Sequence, residues 1–117
     1  MDKTYVLGFI PPISGVESEF NTFRLGSAYT KRLKEGDQVF LMNEKEKAVF
    51  GRAVVVSIEN APLNELCVMH GSKNHTQIGQ EAITAPERLF HLLTRIYGPH
   101  IAKPDKKATA IYLRRIE

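Results

Sequence analysis

The chain opens with an apolar, β-favouring run, Thr4 to Ile10, that Pro11-Pro12 stops. Two further strands are predicted from Gln38 to Met42 and from Ala48 to Glu59. In the longer one Phe50, Val54, Val56 and Ile58 share one parity, interrupted by Arg52, while Val49, Ala53 and Val55 take the other. Both faces are largely apolar, which suits a central strand of a closed or strongly curved sheet better than an exposed edge. A last strand is predicted from Thr109 to Ile116, with Ile111 and Leu113 near its centre.

Helical spacing fills the intervals. From Ser27, the residues Ala28, Tyr29 and Leu33 give a short apolar face, with Lys31, Arg32 and Lys34 on the polar side, and Gly36-Asp37 then opens the second strand. Asn60-Ala61-Pro62 begins a short helix through Leu66 and Met69. The most sharply delimited helix runs from about Ala85 to Tyr97. Thr84-Ala85-Pro86-Glu87 reads as a capping box in which the threonine oxygen accepts from first-turn amides and the glutamate reaches back. Gly98-Pro99 ends that helix. Leu89, Leu92, Leu93 and Ile96 form its stripe, leaving Arg88, His91 and Arg95 on another face. The elements sum to an α+β fold: a small, mostly antiparallel β-barrel with flanking helices, in a single domain spanning residues 1–117.

Composition narrows the class without changing that picture. An apolar fraction of 43% and a charged fraction of 25% are those of an ordinary globular protein. No apolar run approaches the ~20 residues of a bilayer span, and the N-terminus lacks a basic segment followed by a long apolar one. The one cysteine, Cys67, sits among Leu66, Val68 and Met69 and is expected to pack as a small core residue; a reducing, cytoplasmic setting fits. Net charge is +3. The cations gather as Lys31, Arg32 and Lys34 in one group and Lys103, Lys106, Lys107, Arg114 and Arg115 in another, a distribution suited to polyanions or simply to a solvated face.

Candidate chemistry centres on Phe20-Asn21-Thr22-Phe23-Arg24-Leu25-Gly26, which joins a hydroxyl, a cation and a glycine ahead of the basic helix. Arg24 is placed to fork onto a phosphate or carboxylate, or to pair internally with Glu19 or Asp37. Phe23, Tyr29 and Phe50 are candidates to stack a base, Phe50 being better suited to the core. His70 and His75 flank the polar loop Gly71-Ser72-Lys73-Asn74, a ligand-facing candidate. No metal site or cofactor is expected: there is no second cysteine, no His-Glu-x-x-His, and no glycine-rich phosphate or dinucleotide signature.

The series Thr22-Phe23-Arg24, helix, Gly36-Asp37, strand, Phe50-Gly51-Arg52-Ala53-Val54 and Ile96-Tyr97-Gly98-Pro99 before a last strand resembles the ASCH family, over roughly Glu17 to Arg115. That resemblance implies a PUA-like β-barrel whose cleft accepts RNA, a nucleotide or a modified nucleoside. One bacterial branch is an amidohydrolase that deacetylates N-acetylcytidine with a lysine, a threonine and a glutamate. The pattern Gly-x-Lys-x-x-Thr-x-Arg places its threonine on Thr22 and its arginine on Arg24, its lysine on Glu19 and its glycine on Glu17, while Glu81 falls one residue from the glutamate. Pro11-Pro12 stand where related chains carry a short helix. Glu19 offers a proton acceptor but nothing to stabilise an oxyanion, a role left open to Lys3 or Lys73. The leading expectation is an RNA- or nucleotide-binding module with a basic cleft, using Arg24, Thr22, Tyr29, Lys31, Arg32, Lys106, Lys107 and Arg114. The alternative is a hydrolase of acylated nucleosides or of RNA, with Thr22, Glu81 and Glu19 as the catalytic set.

Overall fold

The computed structural model describes residues 5–117, so Lys3 and Thr4, both named above, lie outside the described residues. The elements follow as β1 (Tyr5–Phe9), β2 (Glu19–Leu25), α1 (Tyr29–Arg32), β3 (Gln38–Asn43), β4 (Ala48–Pro62), α2 (Leu63–His70), a 3-10 turn (Gly71–Lys73), α3 (Ala85–Tyr97) and β5 (Lys107–Arg115). The fold is α+β, with five strands in the order β1-β3-β4-β5-β2. β1 runs parallel to β3, and the other three ladders are antiparallel. No ladder joins β1 to β2, so the sheet is open where a closed barrel was expected. The physical reason lies in what occupies the seam: side chains and a loop, described below, stand between the two outer strands.

Two apolar clusters flank the sheet, and β5 shows why. Its residues Ile111 and Leu113, fully buried, point into a cluster with Leu7, Phe20, Leu41 and Val55. Ala108 and Ala110, of the other parity, face Leu63, Leu66, Cys67 and Leu89 of α2 and α3. Period-two alternation thus serves two cores at once, and the small alanines let the helices approach. Burying each leucine or isoleucine contributes roughly 1.5–3 kcal/mol.

Three local expectations need correction. β2 is a full strand, seven residues paired with β5, where the sequence pattern predicted no strand. Asn60, Ala61 and Pro62 end β4 instead of starting a helix. There the Asn60 amide donates to the carbonyls of Gly26 (3.2 Å) and Ala108 (3.0 Å), which holds the strand in its ladder to Pro62. The α3 boundaries match the expected ones, but Thr84 makes no side-chain cap; its hydroxyl accepts from Arg88 Nη1 instead. No helix among the described residues is long and apolar enough to cross a membrane.

Candidate functional site

Backbone direction fixes what the seam offers. Ser18 O accepts from Arg115 N, and Gly26 N donates to Lys107 O, so the even-numbered residues of β2 turn their peptide groups toward β5. The odd ones turn theirs the other way, and Asn21 O there accepts from His75 N at 3.0 Å. On the facing strand, Phe9 O accepts from Glu44 N next to β3, while Gly8 O points out of the ladder toward β2.

Arg24 spans the opening. Its Nη1 donates to Gly8 O at 2.8 Å, and its guanidinium carbon lies 5.0 Å from the Phe9 ring centroid. The Nε is buried without a hydrogen-bond partner among the described residues. Burial lowers the Arg24 pKa, against the opposing influence of Tyr29, Tyr97 and Glu44. A guanidinium starts from so high a value that it remains charged.

Beside this clasp lies a half-open cavity of about 750 Å3. Gly8, Phe9 and Ile10 form one wall, and Thr22, Phe23 and Arg24 the facing one. Leu89, Leu92, Leu93, Ile96 and Tyr97 of α3 make a mainly apolar roof, while Asn74, His75 and Thr76 close the inner end. Glu44 is the carboxylate in the lining. Its side chain lies over Gly8, where a Cβ would meet it, and it pairs with Lys47 at 2.8 Å.

The inner end is held by a buried polar network. Asn21 donates to His70 O (2.9 Å), Asn74 donates to Asn21 Oδ1 (3.2 Å), and Asn74 Oδ1 accepts from the Thr76 amide and hydroxyl (3.1 and 2.6 Å). Gln77 extends it through Arg88 Nε (2.8 Å) to α3. Thr22, 3% exposed, lines the cavity and takes none of these bonds. His75 packs edge-on against Phe9, with ring centroids 5.0 Å apart. Its pKa is lowered to about 4, first by burial and then by Arg24, against a smaller raising influence of the Ser14 backbone. At neutral pH the imidazole is uncharged.

Of the expected site residues, Thr22, Phe23, Arg24, Asn74 and His75 line this cavity. Glu19 and Glu81 are exposed and outside the lining, as is Lys73. Glu19 has the opposite parity to Thr22 and lies across from Arg114. The Glu81 carbonyl accepts from Arg88 Nη2 at 2.6 Å. Tyr29 packs against the β-sheet core. The link between Gly26 and Lys107 brings Lys31 and Arg32 of α1 to the same end of the β2–β5 ladder as Lys106 and Lys107. Arg114 lies at the other end of that ladder, about 20 Å away at 3.3 Å per residue. Sequence reasoning missed Glu44, which sits in the charged turn Asn43 to Lys47 and reads there as a solvated residue, and Tyr97, which reads only as a helix end. Among the described residues there is no cluster of three or more histidine, cysteine or acidic groups fit to hold a metal ion.

No protein-family model and no curated protein matches the chain. Solved structures do. A hypothetical protein, PH0355, matches with a TM-score of 0.69 at 17% identity over 97% of this chain and 100% of its own. An ASCH protein from Zymomonas mobilis matches at 0.54 and 17%, over 96% of this chain and 67% of its own. An ASCH domain from Lactobacillus crispatus matches at 0.51 and 9%, over 86% and 65%. At such identities the likeness is one of architecture, and it agrees with the resemblance carried by Thr22 to Arg24 and Phe50 to Val54: the chain has the fold of the ASCH domain.

Proposed function

We propose that the chain binds a nucleotide or modified nucleoside, free or as one unit of an RNA strand, in the cavity between β1 and β2. The observation that carries this reading is Arg24, a cation held in a largely apolar cavity with its Nε unsatisfied. An apolar roof suits a planar base, and a charged fork suits a phosphate or carboxylate oxygen. The volume of about 750 Å3 fits one such unit and not a length of strand. Lys31, Arg32, Lys106 and Lys107, gathered at one end of the β2–β5 ladder, supply a surface for flanking phosphates; Arg114 stands apart from them. Cytoplasmic RNA or its free nucleotides are the partners this reading names.

Labelled single-stranded RNA and nucleoside monophosphates, titrated at several salt concentrations, test it. Affinity falls as salt rises, through counterion release. Arg24→Lys, which keeps the charge and loses the fork, weakens binding about tenfold, while Arg114→Ala changes little. Absence of binding by any of these ligands at low salt overturns the reading.

A hydrolytic second reading rests on Thr22 and Glu44, since Glu44 supplies the cavity carboxylate in place of Glu81 or Glu19. Incubation with N-acetylcytidine and with RNA, for the wild type and for Thr22→Ala, Glu44→Gln and Glu81→Gln, decides it. Turnover abolished by the first two and retained by the third supports that chemistry; no turnover, or turnover indifferent to Thr22 and Glu44, removes it.

A further inference from the structure

The two ends of the seam are already closed by protein: Asn21 O accepts from His75 N, and Gly8 O accepts from Arg24 Nη1. Between these closures lies Phe23. It shares the outward peptide direction of Asn21, so its N–H and C=O both point away from β5 and into the seam. Among the described residues neither takes a hydrogen bond outside the ladders, Phe23 lines the cavity, and the residue is only 5% exposed. A donor and an acceptor on one peptide edge, shielded from water, call for a complementary pair. We propose that the Phe23 main chain reads a lactam-type edge on the ligand, an N–H beside a C=O as carried by uracil- and guanine-type bases, by forming two antiparallel-like hydrogen bonds. This deepens the binding reading above and rests on it.

The geometry favours a ring over an added peptide strand. Strand addition uses the outward groups of several residues in succession. Here the outward groups on the N-terminal side of Phe23 are consumed at Asn21, and the α3 roof covers the space through which a strand would run. Leu25 shares this direction but lies past the Arg24 clasp and outside the cavity lining, so within the cavity the free donor and acceptor are those of Phe23, the size of a single base edge. Side chains do not set this preference, so it survives any substitution at position 23 that leaves the strand intact.

The test uses uniformly 13C,15N-labelled full-length protein titrated with uridine, guanosine monophosphate and N3-methyluridine, the last lacking the ring N–H. The expected result is a saturable downfield shift of the Phe23 amide proton with the first two. The Thr22 and Arg24 amides, bonded to β5, move little, and N3-methyluridine binds about tenfold more weakly than uridine or worse. Saturable shifts at Thr22, Leu92 and Leu93 side chains without movement of the Phe23 amide, or equal affinity for the methylated nucleoside, overturn this assignment while leaving the cavity as a nucleoside site. A Phe23 shift produced by an extended valine-rich peptide and by none of the nucleosides also overturns it. No saturable shift with any probe removes this assignment and the binding reading together.

Discussion

Replacing Gly15 by alanine tests whether the inner end of the cavity is as tightly fitted as its contacts indicate. Gly15 has φ of +71°, and a Cβ built there stands 2.1 Å from the His75 carbonyl oxygen and 2.9 Å from its carbon. Ordinary contact begins near 3.4 Å, so the carbonyl must retreat by about 1.3 Å (3.4 − 2.1). It is not free to do so: His75 N is bonded to Asn21 O at 3.0 Å, and the adjoining Asn74 amide to Asn21 Oδ1 at 3.2 Å. The left-handed backbone costs an alanine about 1–2 kcal/mol. Loss of one or both hydrogen bonds adds about 1 kcal/mol each. The sum is about 2–4 kcal/mol. With an unfolding entropy of about 2.1 cal/mol/K per residue, 1 kcal/mol corresponds to about 4 °C for a chain this size, so Tm falls by about 8–16 °C. Gly79→Ala is the matched control: φ is +87°, and nothing lies within 4 Å of its Cβ. It loses only the backbone contribution, about 1–2 kcal/mol or about 4–8 °C. Urea and thermal unfolding followed by circular dichroism measure both variants. If the two are destabilised equally, within ~0.5 kcal/mol, the fitted contact between Gly15 and His75 is refuted. Ligand affinity separates them too, since only the Gly15 change moves His75 and Thr76, which line the cavity.

Three other outcomes follow from the same contacts. Asn21→Ala leaves the Asn74 amide and His70 carbonyl without their partner and costs about 2–4 kcal/mol in urea unfolding; a loss under ~1 kcal/mol contradicts the network. His75, whose pKa is lowered to about 4, binds fewer protons folded than unfolded. Its contribution is therefore complete above the unfolded pKa of 6.5 and is lost as pH falls toward about 4, by at most about 3 kcal/mol. In His75→Gln that part of the pH dependence of stability flattens, and an unchanged slope between pH 6.5 and 4 rules out the assignment. Cys67 is 2% exposed and burial raises its pKa to about 11, so a thiol reagent at pH 8 labels it only as the chain opens. Immediate stoichiometric labelling of folded protein disproves this.

Much of the secondary structure was legible because it depends on local rules. Apolar spacing and Pro86 and Gly98 set α3 to its observed limits, and Pro11-Pro12 stopped β1. The mixed parity of β4 correctly signalled a strand with neighbours on both sides, since it lies between β3 and β5. What could not be read was pairing. Whether β1 meets β2 depends on residues far apart in the chain, and Arg24 and the Asn21–Asn74 contact decide that seam. The same limit governs the site. Thr22 and Arg24 alternate on one strand and so reach one wall together, whereas Glu19 fails by parity and Glu44 arrives from a turn with no apolar signal of its own. Asn21, Asn74 and Gln77 look like solvated polar residues until the fold buries them against one another.

The α3 roof has a meaning beyond ligand binding. β1 and β2 each carry a row of peptide groups with no strand partner, the surface on which separate chains most readily stack edge to edge. Leu89, Leu92, Leu93 and Ile96 cover this seam from above, and the Arg24 clasp occupies part of it from within. The helix that shapes the cavity thus also keeps the chain from templating its own aggregation, and loosening α3 exposes an adhesive edge and the binding cavity in the same event.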